Sequence, residues 1–162
     1  MGLKEKENNN SSINTKKVKS SKKNKDEIIV VASGYFDPLH KGHVEYLNLA
    51  KKLGTKLIVI VNNDKQAIIK KGKSYMDEKE RMFIVSSLKS VDEVFLSIDQ
   101  DSTVCKSLEL LKPNIFAKGG DRFSTEIPET PICKRNRIKI VDGLGEKIQS
   151  SRNILKLMNK SK

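Results

Sequence analysis

The chain has 162 residues, a formal net charge of +12 and two cysteines. This length suits one domain with its own core. No apolar stretch approaches the roughly 18 residues that cross a bilayer, which argues against a membrane-spanning protein. Two cysteines far apart in sequence, without a secretory signal, predict a cytoplasmic location.

Residues 1–25 differ in composition from the rest of the chain. They contain eight lysines and two glutamates, which supply +6 of the net charge, and they are otherwise rich in asparagine and serine. Such a segment cannot bury enough apolar surface to offset its ordering entropy, so we expect a disordered tail before one domain over residues 26–162. The run KKVKSSKKNK is also compatible with a nuclear-localisation or nucleic-acid patch. We favour solvated disorder, and expect only weak contact with nucleic acid, through this tail.

Predicted strands and helices alternate after the tail. The strands cover Glu27–Ala32, Lys56–Asn62, Glu93–Ser97, Asn114–Ala117 and Arg137–Val141. The segments between them are a helix that ends near Gly54, a short helical turn with the loop Lys70–Tyr75, a helix capped by Asp77, a helix stopped by Pro113, and the less regular stretch Phe123–Pro131. A last helix runs from Ser150 to about Met158. This order predicts an α/β fold, a Rossmann-like doubly wound parallel sheet of about five strands with helices on both faces.

Polar segments follow four of the predicted strands. They are His40 with His43, Asn62-Asn63-Asp64, Gly119-Gly120-Asp121 and Ser150-Ser151-Arg152. In doubly wound sheets, ligands bind beyond the carboxyl ends of the strands, at the point where the strand order reverses. The four segments therefore predict a single site at that edge.

The most informative segment is GYFDPLHKGHVEYL, residues Gly34–Leu47. A strand, a turn with glycine and a helix form a phosphate-binding geometry, because backbone N–H groups and the helix dipole point at the anion. Two imidazoles, from His40 and His43, add donors for phosphate oxygens. The helix that follows is expected to bury Val44, Leu47 and Leu49.

Half of a zinc site is the alternative for these histidines. The chain has no other histidine, and Cys105 and Cys133 lie far apart in sequence. A zinc ion would therefore lack ligands, and we predict no metal-ligating residues. In the segment STVCKSLELL, Cys105 lies beside apolar residues at helical spacing and is expected to be a packing residue.

The sequence His-x-Gly-His after Gly-x-Phe-Asp resembles the signature of the cytidylyltransferase-like nucleotidyltransferases. The resemblance runs from about Ile28 to Ile154 and includes AKKLGTKLIVIVNND, Glu80-Arg81-Met82, VDEV and AKGGDR. The resemblance is strongest to the adenylyltransferase domain that activates heptose 1-phosphate. It is weaker to the glycerol-3-phosphate cytidylyltransferases. The chain departs at QSSR, where those relatives usually have Ser-Thr-Thr.

This resemblance implies transfer of a nucleoside monophosphate from a nucleoside triphosphate to a phosphorylated small molecule such as a sugar phosphate, with release of pyrophosphate. ATP is the favoured donor. The alternatives are a CTP-dependent enzyme acting on a polyol or amino-alcohol phosphate, and a non-catalytic module that binds nucleotides or nucleic acid. The resemblance also implies Mg²⁺ bound with the triphosphate, and it allows for a homodimer.

Roles of individual residues are implied in the same way. The expected catalytic residues are His40, His43, Lys71 and Arg152. The expected nucleotide-binding residues are Gly34, Tyr35, Phe36, Asp37, Gly42, Gly119, Gly120, Asp121, Ser150 and Ser151. The expected acceptor-binding residues are Asp64 and Arg81. Three alternatives stay open: a solvated Lys71, an Arg81 on a helix surface, and an Asp37 that only stabilises the turn.

Overall fold

The computed structural model describes residues 25–120, 127–145 and 156–159. Five strands are β1 (Ile29–Gly34), β2 (Lys56–Val61), β3 (Glu93–Leu96), β4 (Ile115–Gly119) and β5 (Lys139–Leu144). Five helices are α1 (Lys41–Lys51), α2 (Asp64–Lys71), α3 (Glu78–Ser86), α4 (Cys105–Leu111) and α5 (Thr130–Arg135). Residues 156–159 are also helical.

The five strands form one parallel sheet in the order β3-β2-β1-β4-β5. From β1 the chain builds outward through β2 to β3, then returns to the other side of β1 for β4 and β5. The strand order therefore reverses between β1 and β4, and the carboxyl ends of these two strands form the switch point of the sheet. The predicted doubly wound parallel α/β fold is confirmed.

The central strands bury both of their faces. Val30 and Ala32 of β1 belong to a cluster that includes Leu47 of α1, whereas Val31 between them packs in a second cluster with Leu108 of α4. Successive strand residues point to opposite faces, so helices are needed on both sides to cover them. Cys105 packs against the second cluster, as predicted.

The buried face of α1 differs from the expected one. Tyr46, Leu47 and Ala50 are buried, while Val44 and Leu49 are only partly covered. The small Ala50 side chain allows the helix to lie close to the sheet. The Tyr46 hydroxyl can be buried because it finds backbone partners there.

Two other segments differ from the predictions. Helix α2 is longer than the expected short turn and ends at Gly72, whose φ of 83° closes the helix in the left-handed region, so Lys71 belongs to a helix instead of a loop. The stretch predicted to be irregular ends in α5, with Pro131 in its first turn, where its missing N–H is not needed. A helix of six residues carries too little periodicity to be predicted.

Several predictions fall on residues that lie outside the described ones. These are the tail up to residue 24, Asp121, and the segment with Ser150, Ser151 and Arg152. The division into tail and domain also stays a prediction. Within the described parts of the chain, no helix has the length and apolar character needed to cross a membrane.

Candidate functional site

Helix α1 begins at the histidine turn, and both imidazoles close its first turn. His40 is the N-cap residue, and its Nδ1 accepts a hydrogen bond from the Gly42 N–H at 3.1 Å. The Nδ1 of His43 accepts from the His40 N–H at 3.2 Å. This reciprocal pair is a capping box made of imidazoles, and the two rings stack with their centroids 3.8 Å apart.

These contacts determine which ring nitrogen carries the proton. An Nδ1 that accepts a backbone N–H has no proton of its own, so each neutral ring is protonated on Nε2. Burial, and then the charges of His40 and Lys71, lower the pKa of His43 to about 3; burial also lowers the pKa of His40. Both rings are therefore neutral at physiological pH.

The outer nitrogens of these rings are available to a ligand. Within the described residues, no protein acceptor takes a hydrogen bond from the Nε2–H of either His40 or His43. The box fixes both rings against the start of α1, so two N–H donors are held in place beside the positive end of the helix dipole. An anionic oxygen is the chemistry that such donors fit.

A buried carboxylate holds the turn between β1 and α1. Asp37 is fully buried and accepts hydrogen bonds from Lys71 Nζ at 2.7 Å and from the N–H groups of Tyr75 and Met76 at 3.0 and 2.9 Å. Burial by itself would raise the pKa of Asp37, but these hydrogen bonds and the Lys71 charge outweigh it and hold the pKa below its ordinary value. Asp37 thus ties the turn to the loop after α2, which is the turn-stabilising role left open above.

Lys71 lies at the end of α2 and reaches the same turn. Its side chain is only 16% exposed and donates both to the Asp37 carboxylate and, at 3.1 Å, to the Asp37 carbonyl. Its charge is also close enough to His43 to lower the pKa of that ring. Lys71 is therefore not the solvated lysine of the alternative interpretation.

Arg81 lies inside the protein and joins several loops. It is fully buried, so the alternative of a helix-surface arginine is wrong. Four of its five N–H groups are used by carbonyls of Tyr35, Asn62 and Met76 and by the Asp64 carboxylate at 2.8 Å. These bonds join the ends of β1 and β2, because Tyr35 follows the first strand and Asn62 follows the second.

Asp64, the other expected acceptor-binding residue, is the partner of Arg81. Its carboxylate also accepts from the Ser74 hydroxyl at 3.0 Å. Burial would raise the pKa of Asp64, but the Arg81 contact and the other hydrogen bonds hold it below its ordinary value. Contact of Asp64 and Arg81 with an acceptor stays a prediction.

Three of the expected nucleotide-binding residues are glycines, and a different local constraint explains why glycine occupies each position. A methyl group at Gly34 would lie 2.8 Å from the ring of Phe36, a buried residue with a φ of 52° whose ring packs edge-on to His43. A methyl group at Gly119 would lie 3.0 Å from the Tyr46 ring. At Gly120 the space is open, and the φ of 75° explains the glycine.

The structure brings most of the predicted residues to the edge formed by the carboxyl ends of β1, β2 and β4. Direct contacts join His43 to His40 and Phe36, and Lys71 to Asp37, and the charge of Lys71 acts on His43. Tyr35 lies in the turn between β1 and α1, and Gly42 lies in the first turn of α1. Across the switch point, Gly119 ends β4 and Gly120 follows it. Sequence reasoning missed Tyr46. Its only signal is its place three residues after His43, one helical turn along α1.

No cluster of three or more His, Cys, Asp or Glu side chains suited to a metal ion occurs in residues 25–120, 127–145 and 156–159. Two carboxylates at this edge of the sheet, Asp37 and Asp64, are each bound to a cation and to other donors. Any divalent ion at this edge would need most of its ligands from a bound substrate and water.

The sequence matches the family model described as Cytidylyltransferase-like over residues 31–152. The bifunctional protein HldE of Helicobacter pylori strain Shi470 is 39% identical over 112 residues, covering 68% of this chain and 24% of that protein. The FAD synthase of Methanothermus fervidus is 40% identical over 110 residues, covering 65% of this chain and 74% of that protein. The chain thus spans about a quarter of the length of HldE.

Two solved structures are also similar to this chain. The lipopolysaccharide core biosynthesis protein from Thermoplasma volcanium is 32% identical, with a TM-score of 0.63, over 74% of this chain and 98% of that one. A pantothenate synthetase from Thermus thermophilus shares the fold at 16% identity, with a TM-score of 0.54, over 79% of this chain and 61% of that one. The family resemblance inferred from the histidine turn is confirmed.

Proposed function

The chain belongs to the cytidylyltransferase-like family of nucleotidyltransferases, and we propose that it transfers a nucleoside monophosphate to a phosphorylated small molecule, with ATP as the favoured donor. The observation that carries this proposal is the imidazole capping box, whose two neutral rings hold Nε2–H donors at the start of a helix. CTP is the alternative donor, with a polyol or amino-alcohol phosphate as acceptor.

The reaction needs alignment more than acid–base chemistry. A phosphate oxygen of the acceptor is already ionised near neutral pH; it forms a bond to the α-phosphorus of the triphosphate as the bond to pyrophosphate breaks. Negative charge on the equatorial oxygens must then be stabilised by fixed donors. His40 and His43 supply such donors without a change of protonation, because Nδ1 of each ring is held by the backbone.

Lys71 supplies the positive charge in this scheme. Asp37 accepts two of its hydrogen bonds and orients the ammonium group, whose charge acts on His43. Arg152, Ser150 and Ser151 remain predicted phosphate-binding residues, and Asp121, Gly119 and Gly120 remain predicted contacts of the nucleoside.

Magnesium fits the donor set of this site only as a partner of the triphosphate. The nearby carboxylates are committed to Lys71 and Arg81, so phosphate oxygens and water would supply most of the ligands. When bound, the ion neutralises part of the triphosphate charge.

Adenylyl transfer is favoured by the two groups of relatives. FAD consists of an adenylyl group joined to a flavin phosphate, so a FAD synthase and the heptose 1-phosphate adenylyltransferase domain that the sequence resembles form the same kind of bond, adenylyl to phosphomonoester. The acceptor class that we propose is accordingly a phosphomonoester, either a sugar phosphate or a flavin phosphate.

The test is release of pyrophosphate from each of the four nucleoside triphosphates with magnesium, using sugar 1-phosphates, flavin mononucleotide and glycerol 3-phosphate as acceptors. We expect release with ATP and one phosphomonoester, and none with the matching dephosphorylated acceptor. His43→Ala is the control for contaminating activity. Release with CTP alone would select the alternative donor. Nucleotide binding without release in any combination would support the non-catalytic module.

A further inference from the structure

The adjacent strands β1 and β4 separate at the switch point of the sheet. Strands β1 and β4 pair from Val30 with Ile115 to Ala32 with Ala117, and no further. Both strands continue for two more residues, each paired with its outer neighbour: Gly34 with Val61 of β2, and Gly119 with Leu144 of β5. The carboxyl ends of β1 and β4 therefore separate where the histidine turn and the Gly119–Gly120 turn begin.

One side chain from α1 lies at the point of separation. The Tyr46 hydroxyl accepts a hydrogen bond from the Ser33 N–H at 3.3 Å and donates to the Ala117 carbonyl at 2.5 Å. Ala117 belongs to the last pair between β1 and β4, and Ser33 is the first residue of β1 beyond that pair. Tyr46 is buried, and its ring lies against Gly119, where an added methyl group would be 3.0 Å from the ring.

The hydroxyl is chemically suited to this bridge. Burial raises the pKa of Tyr46, so the group keeps its proton and can donate to a carbonyl while it accepts from an amide. A phenylalanine would fill the same space but leave both backbone groups without this partner.

We propose that Tyr46 is a positioning residue of the nucleotide site, which sets the separation between the histidine turn and the Gly119–Gly120 turn. Tyr46 lies one helical turn after His43, so the bridge also anchors the first turn of α1 to the sheet. The tyrosine fixes the distance between two walls of the site without contacting the substrate. This inference rests on the proposed function, because it treats the two turns as parts of one nucleotide site.

The test compares Tyr46→Phe with Asn114→Ala. Asn114 offers a matched control, since its side-chain Oδ1 accepts from the Ile29 N–H at 2.9 Å and joins the same two strands at their opposite ends. Asn114→Ala loses one hydrogen bond between the two strands, and Tyr46→Phe loses the two bonds of the bridge, so both variants are expected to lower the melting temperature. Only Tyr46→Phe is expected to weaken ATP binding in the presence of magnesium, by about tenfold, within the range for a buried polar group left without its partner.

Two measurements separate the possible failures. Amide hydrogen exchange at Ser33 should be slow in the parent and at least about tenfold faster in Tyr46→Phe, whatever the substrate is. Fast exchange at Ser33 in the parent would disprove the bridge. Equal ATP dissociation constants in Tyr46→Phe and the parent would overturn the positioning role alone. A parent that binds no nucleoside triphosphate would overturn the proposed function and, with it, this role.

Discussion

Helices α1 and α2 begin in the same way at the same edge of the sheet, but their first turns have different chemistry. Each follows one of two adjacent strands, β1 and β2, and each begins with a capping box. In α2 the box is made of amides: Asn63 accepts from the Gln66 N–H at 2.9 Å, and Gln66 accepts from the Asn63 N–H at 3.1 Å. In α1 the box is made of imidazoles: His40 accepts from the Gly42 N–H, and His43 accepts from the His40 N–H.

The two boxes differ in the hydrogen bonds of the side-chain atoms that do not cap the helix. The Asn63 amide donates to the carbonyls of Ser97 and Asp99, both at 2.9 Å, and the Gln66 amide donates to those of Asp101 and Thr103, both at 2.7 Å. The amide box thus turns inward and joins α2 to the segment after β3. Each imidazole uses one nitrogen for the cap, and its other nitrogen has no protein partner among the described residues. The amide box therefore serves the scaffold, and the imidazole box is the one that suits the proposed ligand site.

The largest expected effect is on catalysis, at the imidazole box. His43→Ala should lower turnover by about 10²- to 10³-fold, the scale of one lost transition-state donor. Steady-state pyrophosphate release, with the folded fraction checked by circular dichroism, is the measurement.

His43→Gln separates the cap from the chemistry of the ring. Glutamine is a normal residue at this position of a capping box, so this variant should keep the melting temperature close to that of the parent. Turnover should stay low, because the imidazole Nε2–H is missing. Parental turnover in His43→Gln would reduce His43 to a helix cap.

The second largest effect is expected at Lys71, which α2 places against Asp37 in the turn before α1. Lys71→Met leaves the buried Asp37 carboxylate without its cation and should cost about 3 kcal/mol of stability. In the double variant Asp37→Asn, Lys71→Met the buried charge is gone, so most of the stability should return. Turnover should remain at least about tenfold low in both, because the ammonium group beside the imidazoles is missing.

Lys65→Met is the matched control for this pair, because Lys65 is an exposed lysine on the same helix and makes a surface hydrogen bond to Gln100. It should change turnover and stability little. Chemical denaturation and pyrophosphate release give both quantities for the three variants. Full turnover in the double variant would show that Lys71 serves only to neutralise Asp37.

The third effect is expected on stability, at the amide capping box of α2. Asn63→Ala removes one acceptor and two donated hydrogen bonds in a buried setting, and should lower the free energy of unfolding by roughly 2 to 4 kcal/mol. Turnover per folded molecule should fall far less than in His43→Ala, because no ligand donor is lost. A loss of turnover as large as that of His43→Ala, without a loss of stability, would contradict the division between scaffold and site.

Sequence patterns singled out both histidines of one box and, of the other, only Asn63 as part of a polar segment; they predicted neither box as a helix cap. The alternation of strands and helices predicts the sheet, since buried parallel strands are continuous apolar runs such as KLIVIV. His40 and His43 stand out because histidine is rare in this chain. By contrast, Asn63 and Gln66 are ordinary polar residues, and their partners lie more than 30 positions away.

The contacts of Arg81, Asp37 and Tyr46 could not be predicted for the same reason. Their partners come from other strands and loops and become neighbours only when the sheet forms. A charged residue in a helix pattern, such as Arg81, is expected at the surface. Its burial depends on carbonyls at the ends of β1 and β2, which no local pattern reveals.

The smallest expected effect is a pH dependence that only the imidazole box can have. The pKa of His43 falls to about 3 in the folded protein, below the value near 6.5 expected when unfolded. Because the unfolded chain binds the extra proton, the stability due to neutral His43 is complete above pH 6.5 and is lost as the pH falls toward 3. At pH 5 the loss should be about 2 kcal/mol relative to pH 7.

Comparing the parent with His43→Gln isolates the contribution of His43 to the pH dependence of stability. Glutamine fills the same capping position but does not titrate, so the variant should lose about 2 kcal/mol less than the parent between pH 7 and pH 5. His40 and Lys71, the titratable neighbours of His43, are present in both proteins. The carboxylates Asp37 and Asp64 have pKa values held below their ordinary ones and are ionised throughout this range in both, so these contributions cancel. Urea unfolding at the two pH values measures the difference. An equal loss in both proteins would mean that His43 binds protons equally well in the folded and unfolded states, and the neutral Nε2–H donor inferred from the cap would then be wrong.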